Sequence, residues 1–290
     1  MAKGLFTQSL CLLLSHQPLT AEVEQCLPGL QRQSQGAHPW PSVADSWWLP
    51  APQLGNNGRL ILDLIPVPWP DDCGDADQPD LYGAWCLGYL GPLTFPGGLA
   101  RASRRTGLSG QHAGVLHLKS SYAMGADDEA PLLPMDYQAP AELDLMHRTL
   151  GQLAALPHSL AYFNPGGEVL HSHPGWLEMS GLPLCIGLQS FRTDRSLIVT
   201  TVGMEQFDLL DQQAEVFSES IEVEQLGTFV MDRAVAHLAP GQGSRDGAVV
   251  DALGHRWQAK LDESVGPRPR NALCWTPQKV KRRGWFGIPK

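Results

Sequence analysis

The sequence predicts an α+β protein: mixed β-sheets with helices mainly on one face, or two fused α/β halves. Three observations lead there. Apolar runs of strand length recur, such as RLILDLIPV at 59–67. One stretch, 141–156, repeats Leu143, Met146, Leu150, Leu153 and Leu156 at three- and four-residue intervals, the spacing of a buried helical stripe. Strands and helices also alternate without a strict βαβ repeat, which favours mixed sheets over a doubly wound fold.

In chain order, residues 7–14 read as a buried strand, and 19–30 as a helix with Thr20 at its N-cap and Pro28 near its end. Residues 31–58 are rich in Gln, Pro, Gly and Asn and read as a long loop pinned to the core by Trp40, Trp47 and Trp48. A strand follows at 59–67, ended by Pro66, Pro68 and Pro70. Residues 81–90 and 98–105 read as short helices around the Gly/Pro-rich GPLTFPGG, and 115–122 as a strand. The helix at 141–156 sits behind Pro140, a favoured first-turn residue. Residues 159–163 form a short strand, and NPGGE at 164–168 turns the chain into Val169 and Leu170. Two strands at 185–192 and 196–202 meet at Thr193 and Asp194, a helix spans 222–238, and 248–251 pairs with 255–261 as a hairpin. The expected organisation is an N-terminal half at 1–157, a C-terminal half at 158–276 and a basic tail at 277–290.

At 290 residues the chain can bury a large core, and 43% hydrophobic with 18% charged residues is a globular composition. The net charge of -9 disfavours nucleic acid and anionic membrane as partners and favours a basic one. The N-terminal run LFTQSLCLLLS is interrupted by Thr7, Gln8 and Ser9 and is followed by no A-x-A cleavage site. No stretch reaches the ~18 apolar residues of a membrane span, so the expectation is a soluble, cytoplasmic protein. Six scattered cysteines without CxxC spacing read as reduced core thiols.

The signatures GxxxxGK[ST], HExxH, GxSxG, GxGxxG opening a helix and CxxC are all absent from the sequence. Two segments invite a metal reading. WPDDCGDADQPD, at 69–80, holds five aspartates, but it fails the calcium-loop pattern at its ligand, glycine and terminal positions. Its plain reading is a turn between strand and helix, with Asp80 near the helix N-terminus. GGEVLHSHPGW, at 166–176, would place His171 and His173 on one face of an extended chain, with Glu168 as a third ligand or general base. Ser120, Ser121 and Cys73 are weak nucleophile candidates, with His112 and His117 as the histidines that would have to approach them. The tail KVKRRGWFGIPK sets Lys279, Lys281, Arg282, Arg283 and Lys290 around Trp285 and Phe286, the composition of an end that frays or docks on an anionic surface.

The run RLILDLIPVPWPDDCGDADQPDLYGAWCLGYLGPLTFPGGLARA at 59–102 resembles the signature stretch of a bacterial family catalogued as domain of unknown function 4261. SLAYFNPGGEVL at 159–170 and IVTTVGMEQFDLLDQQAEV at 198–216 are similar to it as well, so the resemblance extends over most of the chain, from Gly4 to Trp275. The departure is Cys73, where the resemblance leads one to expect the methionine of WPDDMGD; an apolar thioether there argues against a catalytic cysteine. The resemblance implies a role beside bacterial toxins, in type VI secretion or polymorphic toxin loci, and no catalytic residues.

The leading expectation is a binding protein without a cofactor, an immunity or accessory protein that masks a protein toxin or effector through an acidic, aromatic-bearing surface. Trp47, Trp48, Asp71, Asp72 and Trp285 are its candidate contacts. The alternative is a metal-dependent hydrolase with Asp71, Asp75, His171 and His173 as ligands and Glu168 or Asp72 as the base. A third reading is a structural scaffold of a secretion assembly, which would form defined oligomers.

Overall fold

The computed structural model describes residues 5–33, 43–55, 57–74, 77–109, 111–124, 126, 131–217, 221–238, 247–252, 254–265 and 270–278. The chain divides into two compact units, residues 1–187 with 202–208, and residues 188–201 with 209–290. The sequence suggested a boundary at 157/158. It does not fall there, because the strand that follows pairs directly with the N-terminal strand in the first unit.

That first unit is built on a seven-stranded antiparallel sheet of β1 (Gln8–Leu14), β2 (Gln31–Arg32), β3 (Asp45–Pro50), β4 (Arg59–Ile65), β5 (Gly114–Ser121), β6 (Ser159–Asn164) and β7 (Val169–Ser172). Its order is β2-β3-β4-β5-β1-β6-β7. The five strands β1, β4, β5, β6 and β7 lie where the apolar runs place them. The strand β3 lies inside the stretch that reads as a loop, and Trp47 is its fully buried centre. Its indole N–H donates to Glu24 Oε1 at 3.0 Å, so the tryptophan does pin this segment, but as part of the sheet.

Both faces of this sheet are buried, which is why β1, β4 and β5 read as nearly continuous apolar runs. One face carries Cys11, Leu13, Ile65, Val115, Ala161 and Phe163. It packs against α2 (Pro79–Cys86) through Ala84 and α3 (Gly98–Thr106) through Leu99 and Ala102. The opposite face receives α4 (Ala139–Leu153), whose buried stripe is Leu143, Met146, Leu150 and Leu153. His147 of α4 bonds to the Tyr162 hydroxyl at 2.8 Å, and Tyr162 pairs with Leu12 across β6 and β1. Helices therefore cover both faces of this sheet.

The helix α1 (Thr20–Cys26) is shorter than the sequence suggests. Its first turn is closed by Glu22, whose carboxylate accepts the Leu19 N–H at 2.7 Å. Thr20 is not the cap; its hydroxyl donates to Asp45 Oδ2 on β3.

The second unit holds a six-stranded mixed sheet in the order β11-β12-β13-β10-β9-β8. Its strands are β8 (Gly187–Arg192), β9 (Leu197–Val202), β10 (Asp211–Val216), β11 (Ala248–Val250), β12 (Arg256–Glu263) and β13 (Asn271–Pro277). The strands β10 and β13 pair in parallel, whereas β9–β10, β11–β12 and β12–β13 pair antiparallel. The helix α5 (Val223–Leu238) lays Leu226, Phe229 and Val230 on Leu197, Val199, Ala214, Trp257 and Trp275. Phe229 stacks on Trp257 with ring centres 4.3 Å apart. No helix among the described residues is long and apolar enough to cross a membrane. All six cysteines are free thiols, and only Cys11 and Cys185 are buried core groups; burial pushes the Cys185 thiol up to about 12.

Candidate functional site

The aspartate segment is tied down at its first residue. Asp71 Oδ1 accepts the Leu99 N–H at 2.8 Å and Oδ2 the Ala100 N–H at 2.7 Å, while its carbonyl accepts from Gly97. Gly97 is the N-cap of α3 in the left-handed conformation and has no side chain to offer, so Asp71 supplies the capping carboxylate from 28 residues upstream. Burial raises its pKa, against the opposing pull of the Ala100 and Leu99 amides and of Arg101. Asp72 makes a turn: its Oδ1 accepts the Gly74 N–H at 3.0 Å, and its carbonyl accepts the Trp85 indole N–H at 2.7 Å. The loop is thereby fastened to α2. Asp75 lies outside the described residues, as does Trp285.

Glu168 is equally committed. It is 3% exposed and closes the β6–β7 turn at a φ of 51°. Arg101 Nε donates to Oε1 at 2.9 Å, Arg105 Nη1 reaches Oε2 at 3.3 Å, and Arg105 Nη2 donates to the Glu168 carbonyl. Burial lowers the Arg105 pKa from its usual value, and the Glu168 charge opposes that shift. The turn itself requires glycine at 167, where a Cβ would collide with the Cys185 carbonyl. A carboxylate gripped by two guanidiniums is a poor general base, because both oxygens already accept charged donors.

The two histidines do not join this cluster. His171 pairs with Tyr162, lies over its ring and bonds through Nε2 to the Pro183 carbonyl at 3.1 Å. Tyr162 and His171 lie on the α4 face, while Phe163 and Leu170 lie on the α3 face that Asp71 caps. The sheet separates Asp71 from His171, and His173 bonds by its N–H to the Leu160 carbonyl beyond the end of the β6–β7 ladder. Among the described residues no three His, Cys, Asp or Glu side chains converge as a metal site. Asp71 and His171, held on opposite faces of the sheet, are not brought to one ion.

The nucleophile candidates are structural too. Ser120 bonds to Thr7 at 2.9 Å, Ser121 donates to the Leu5 carbonyl, and His112 accepts the Trp69 N–H at 2.6 Å. One pairing was not visible in the sequence: Ser9 Oγ lies 2.7 Å from His117 Nε2. Beside it Lys119 Nζ meets Asp63 Oδ2 at 2.6 Å, and Ser46 donates to the other Asp63 oxygen. The geometry is that of a serine activated by histidine, yet both residues are buried, and a Cβ at Gly91 would overlap Ser9. A substrate has no room at the hydroxyl. The group is a buried polar network in which lysine and aspartate neutralise each other.

Among the exposed parts of the first unit are the outer side of α2 and the loop that follows it. The inner face of the helix, Leu81, Ala84 and Trp85, joins the core. Tyr82 is 58% exposed, Leu87 64% and Phe95 37%. Asp72, Asp77 and Asp80 are exposed in the same segment, and the sequence holds no Lys or Arg between Arg59 and Arg101. The Tyr82 hydroxyl bonds to the Cys86 thiol one turn along, an interaction that, with Cys73 nearby, raises the phenol pKa. The segment from Asp72 to Phe95 is thus acidic, carries exposed aromatic and aliphatic groups, and is fastened through Trp85 and Asp71. Of the tryptophans expected at an interface, Trp47 is removed by burial, and Trp48 lies partly buried under the Arg59 guanidinium, 4.8 Å from its ring centre. Within the segment 72–97 the exposed apolar groups are Tyr82, Leu87 and Phe95, none of them among the residues the sequence singles out. The period of α2 marks Leu81, Ala84 and Trp85 as inward and leaves Tyr82 outward, a signal available before the structure.

No family model, no curated protein and no solved structure matches this chain.

Proposed function

We propose that this protein binds a basic protein partner through the α2 face, acting as an immunity or accessory protein that masks a toxin or effector of bacterial competition. The observation that carries the reading is the cation-free segment between Arg59 and Arg101, with Tyr82, Leu87 and Phe95 exposed among Asp72, Asp77 and Asp80. Exposed aromatic anchors within a charged rim are the composition of a protein interface, and a single-sign field speeds association with an oppositely charged partner. The resemblance of residues 59–102 to domain of unknown function 4261 supports the same reading, since the resembling stretch includes this surface. The commitment of Asp71, Glu168 and His171 to structural bonds weighs against the metal-dependent hydrolase.

The test is affinity capture with tagged wild-type protein and an Asp80→Lys/Tyr82→Ala variant, from lysate of the producing cells, with mass spectrometry of the eluates. A single stoichiometric protein of basic pI, released by salt and absent from the variant eluate, is expected. Equal capture by the variant, or an acidic partner, removes the proposal.

A further inference from the structure

A second surface, wholly within the second unit, has the make-up of a small-molecule site. The tip of the β8–β9 hairpin, the end of β10 and the residues that lead into α5 enclose an open cleft of about 640 Å³, within the size range of ligand pockets. Its apolar floor is Leu197, Val216 and Ile221, continuous with the core under α5. Arg192 and Arg195 stand at its rim, and among the described residues neither guanidinium is held by an ion pair. Asp194 and Glu222 line it as well, and Phe217, 66% exposed, provides a bare aromatic ring at its wall.

The hairpin tip that carries the arginines is internally braced. Thr193 Oγ1 accepts the Arg195 N–H at 3.2 Å and the Ser196 N–H at 2.9 Å, and Thr193 N donates to the Ser196 carbonyl. Two guanidiniums three residues apart are therefore presented from a braced turn, with no ion pair to a carboxylate among the described residues. Such a pair meets a phosphate through bidentate hydrogen bonds. Carboxylates accept hydrogen bonds from ribose hydroxyls, and an exposed phenyl ring stacks on a planar base. All three features occur together in this cleft.

We infer that the second unit binds a free nucleoside monophosphate in the cleft between the β8–β9 hairpin and α5. Arg192 and Arg195 hold the phosphate, Asp194 and Glu222 face the ribose, and Phe217 stacks on the base. The site does not depend on the α2 face, and its test uses no protein partner.

Isothermal titration of the full chain with AMP, GMP, CMP and UMP in turn tests it, with inorganic phosphate and ribose 5-phosphate as separate arms. At least one nucleotide is expected to bind saturably at one site per chain. Arg192→Ala/Arg195→Ala should weaken that affinity tenfold or more. Phe217→Ala should weaken the nucleotide while leaving ribose 5-phosphate unchanged. All three residues are at the surface, so unchanged circular dichroism confirms that each variant folds. The inference is overturned if none of the four nucleotides binds folded wild-type protein, if the double arginine variant binds as tightly as wild type, or if phosphate alone binds as well as the nucleotide.

Discussion

Replacing Glu168 by alanine separates a structural carboxylate from a catalytic one. The substitution strips Arg101 and Arg105 of their shared partner while both remain packed beside the β6–β7 turn, with side chains 17% and 24% exposed. Breaking a buried ion pair by removing one member costs about 3 to 5 kcal/mol. The residual hydration of both guanidiniums places this case near the lower end, about 3 kcal/mol. Alanine inherits the positive φ of 51° at the same backbone cost, so no strain is relieved to offset the loss. For a unit of this size, each kcal/mol shifts Tm by about 2 to 4 °C. The expected fall is about 6 to 12 °C, read by differential scanning calorimetry. Glu168→Gln keeps two acceptor lone pairs on one oxygen and should lose about half as much. A Tm for Glu168→Ala within 2 °C of wild type would refute the clamp and return Glu168 to the pool of candidate bases.

The buried pair Lys119–Asp63 predicts a double-mutant cycle. Lys119→Met alone should cost about 3 to 5 kcal/mol by stranding the Asp63 carboxylate, whereas Lys119→Met/Asp63→Leu should recover most of it; a double variant no better than the single one would contradict this. Asp71→Ala should cost about 1 kcal/mol through the lost α3 cap, seen as faster amide exchange at Leu99 and Ala100; unchanged exchange at those two amides would argue against the cap. Burial lowers the His147 pKa from 6.5 to about 4, so the folded chain binds fewer protons than the unfolded chain between those values. Its contribution to stability is complete above about pH 6.5 and is lost as pH falls toward 4, at most about 3 kcal/mol. Denaturant titrations at pH 7 and pH 4.5 should show a smaller drop for His147→Gln than for wild type, and equal drops would remove His147 as the cause.

The elements legible in the sequence are those whose apolar period is strong and local. The stripe Leu143, Met146, Leu150, Leu153 marks α4, and RLILDLI marks β4. The strand β3 was hidden because Trp47 and Trp48 sit in a stretch of Pro, Gln and Gly that reads as loop, although Leu49 and Pro50 complete a ladder with Leu60 and Arg59. The strand β10 was hidden for the opposite reason. Its Asp211, Gln212 and Gln213 are polar by composition yet buried, and they are satisfied by Thr201, Trp275, Arg270 and the Val265 amide, partners that no local pattern reveals. The site shows the same limit. Asp71 is recognisable as a turn residue, but its capping target lies 28 residues on, the Arg101–Glu168 contact spans 67 residues, and Ser9–His117 spans 108. The His-x-His spacing was visible, but the assignment of its face required the register of β6 with β7.

The central claim, that the α2 face is the surface a partner covers, is tested most directly by hydrogen–deuterium exchange of the full chain alone and in complex with the captured basic protein. Protection confined mainly to residues 77–97, around Asp80, Tyr82, Leu87 and Phe95, is the predicted result. Exchange across α2 that is the same bound and free, with protection elsewhere, would contradict it.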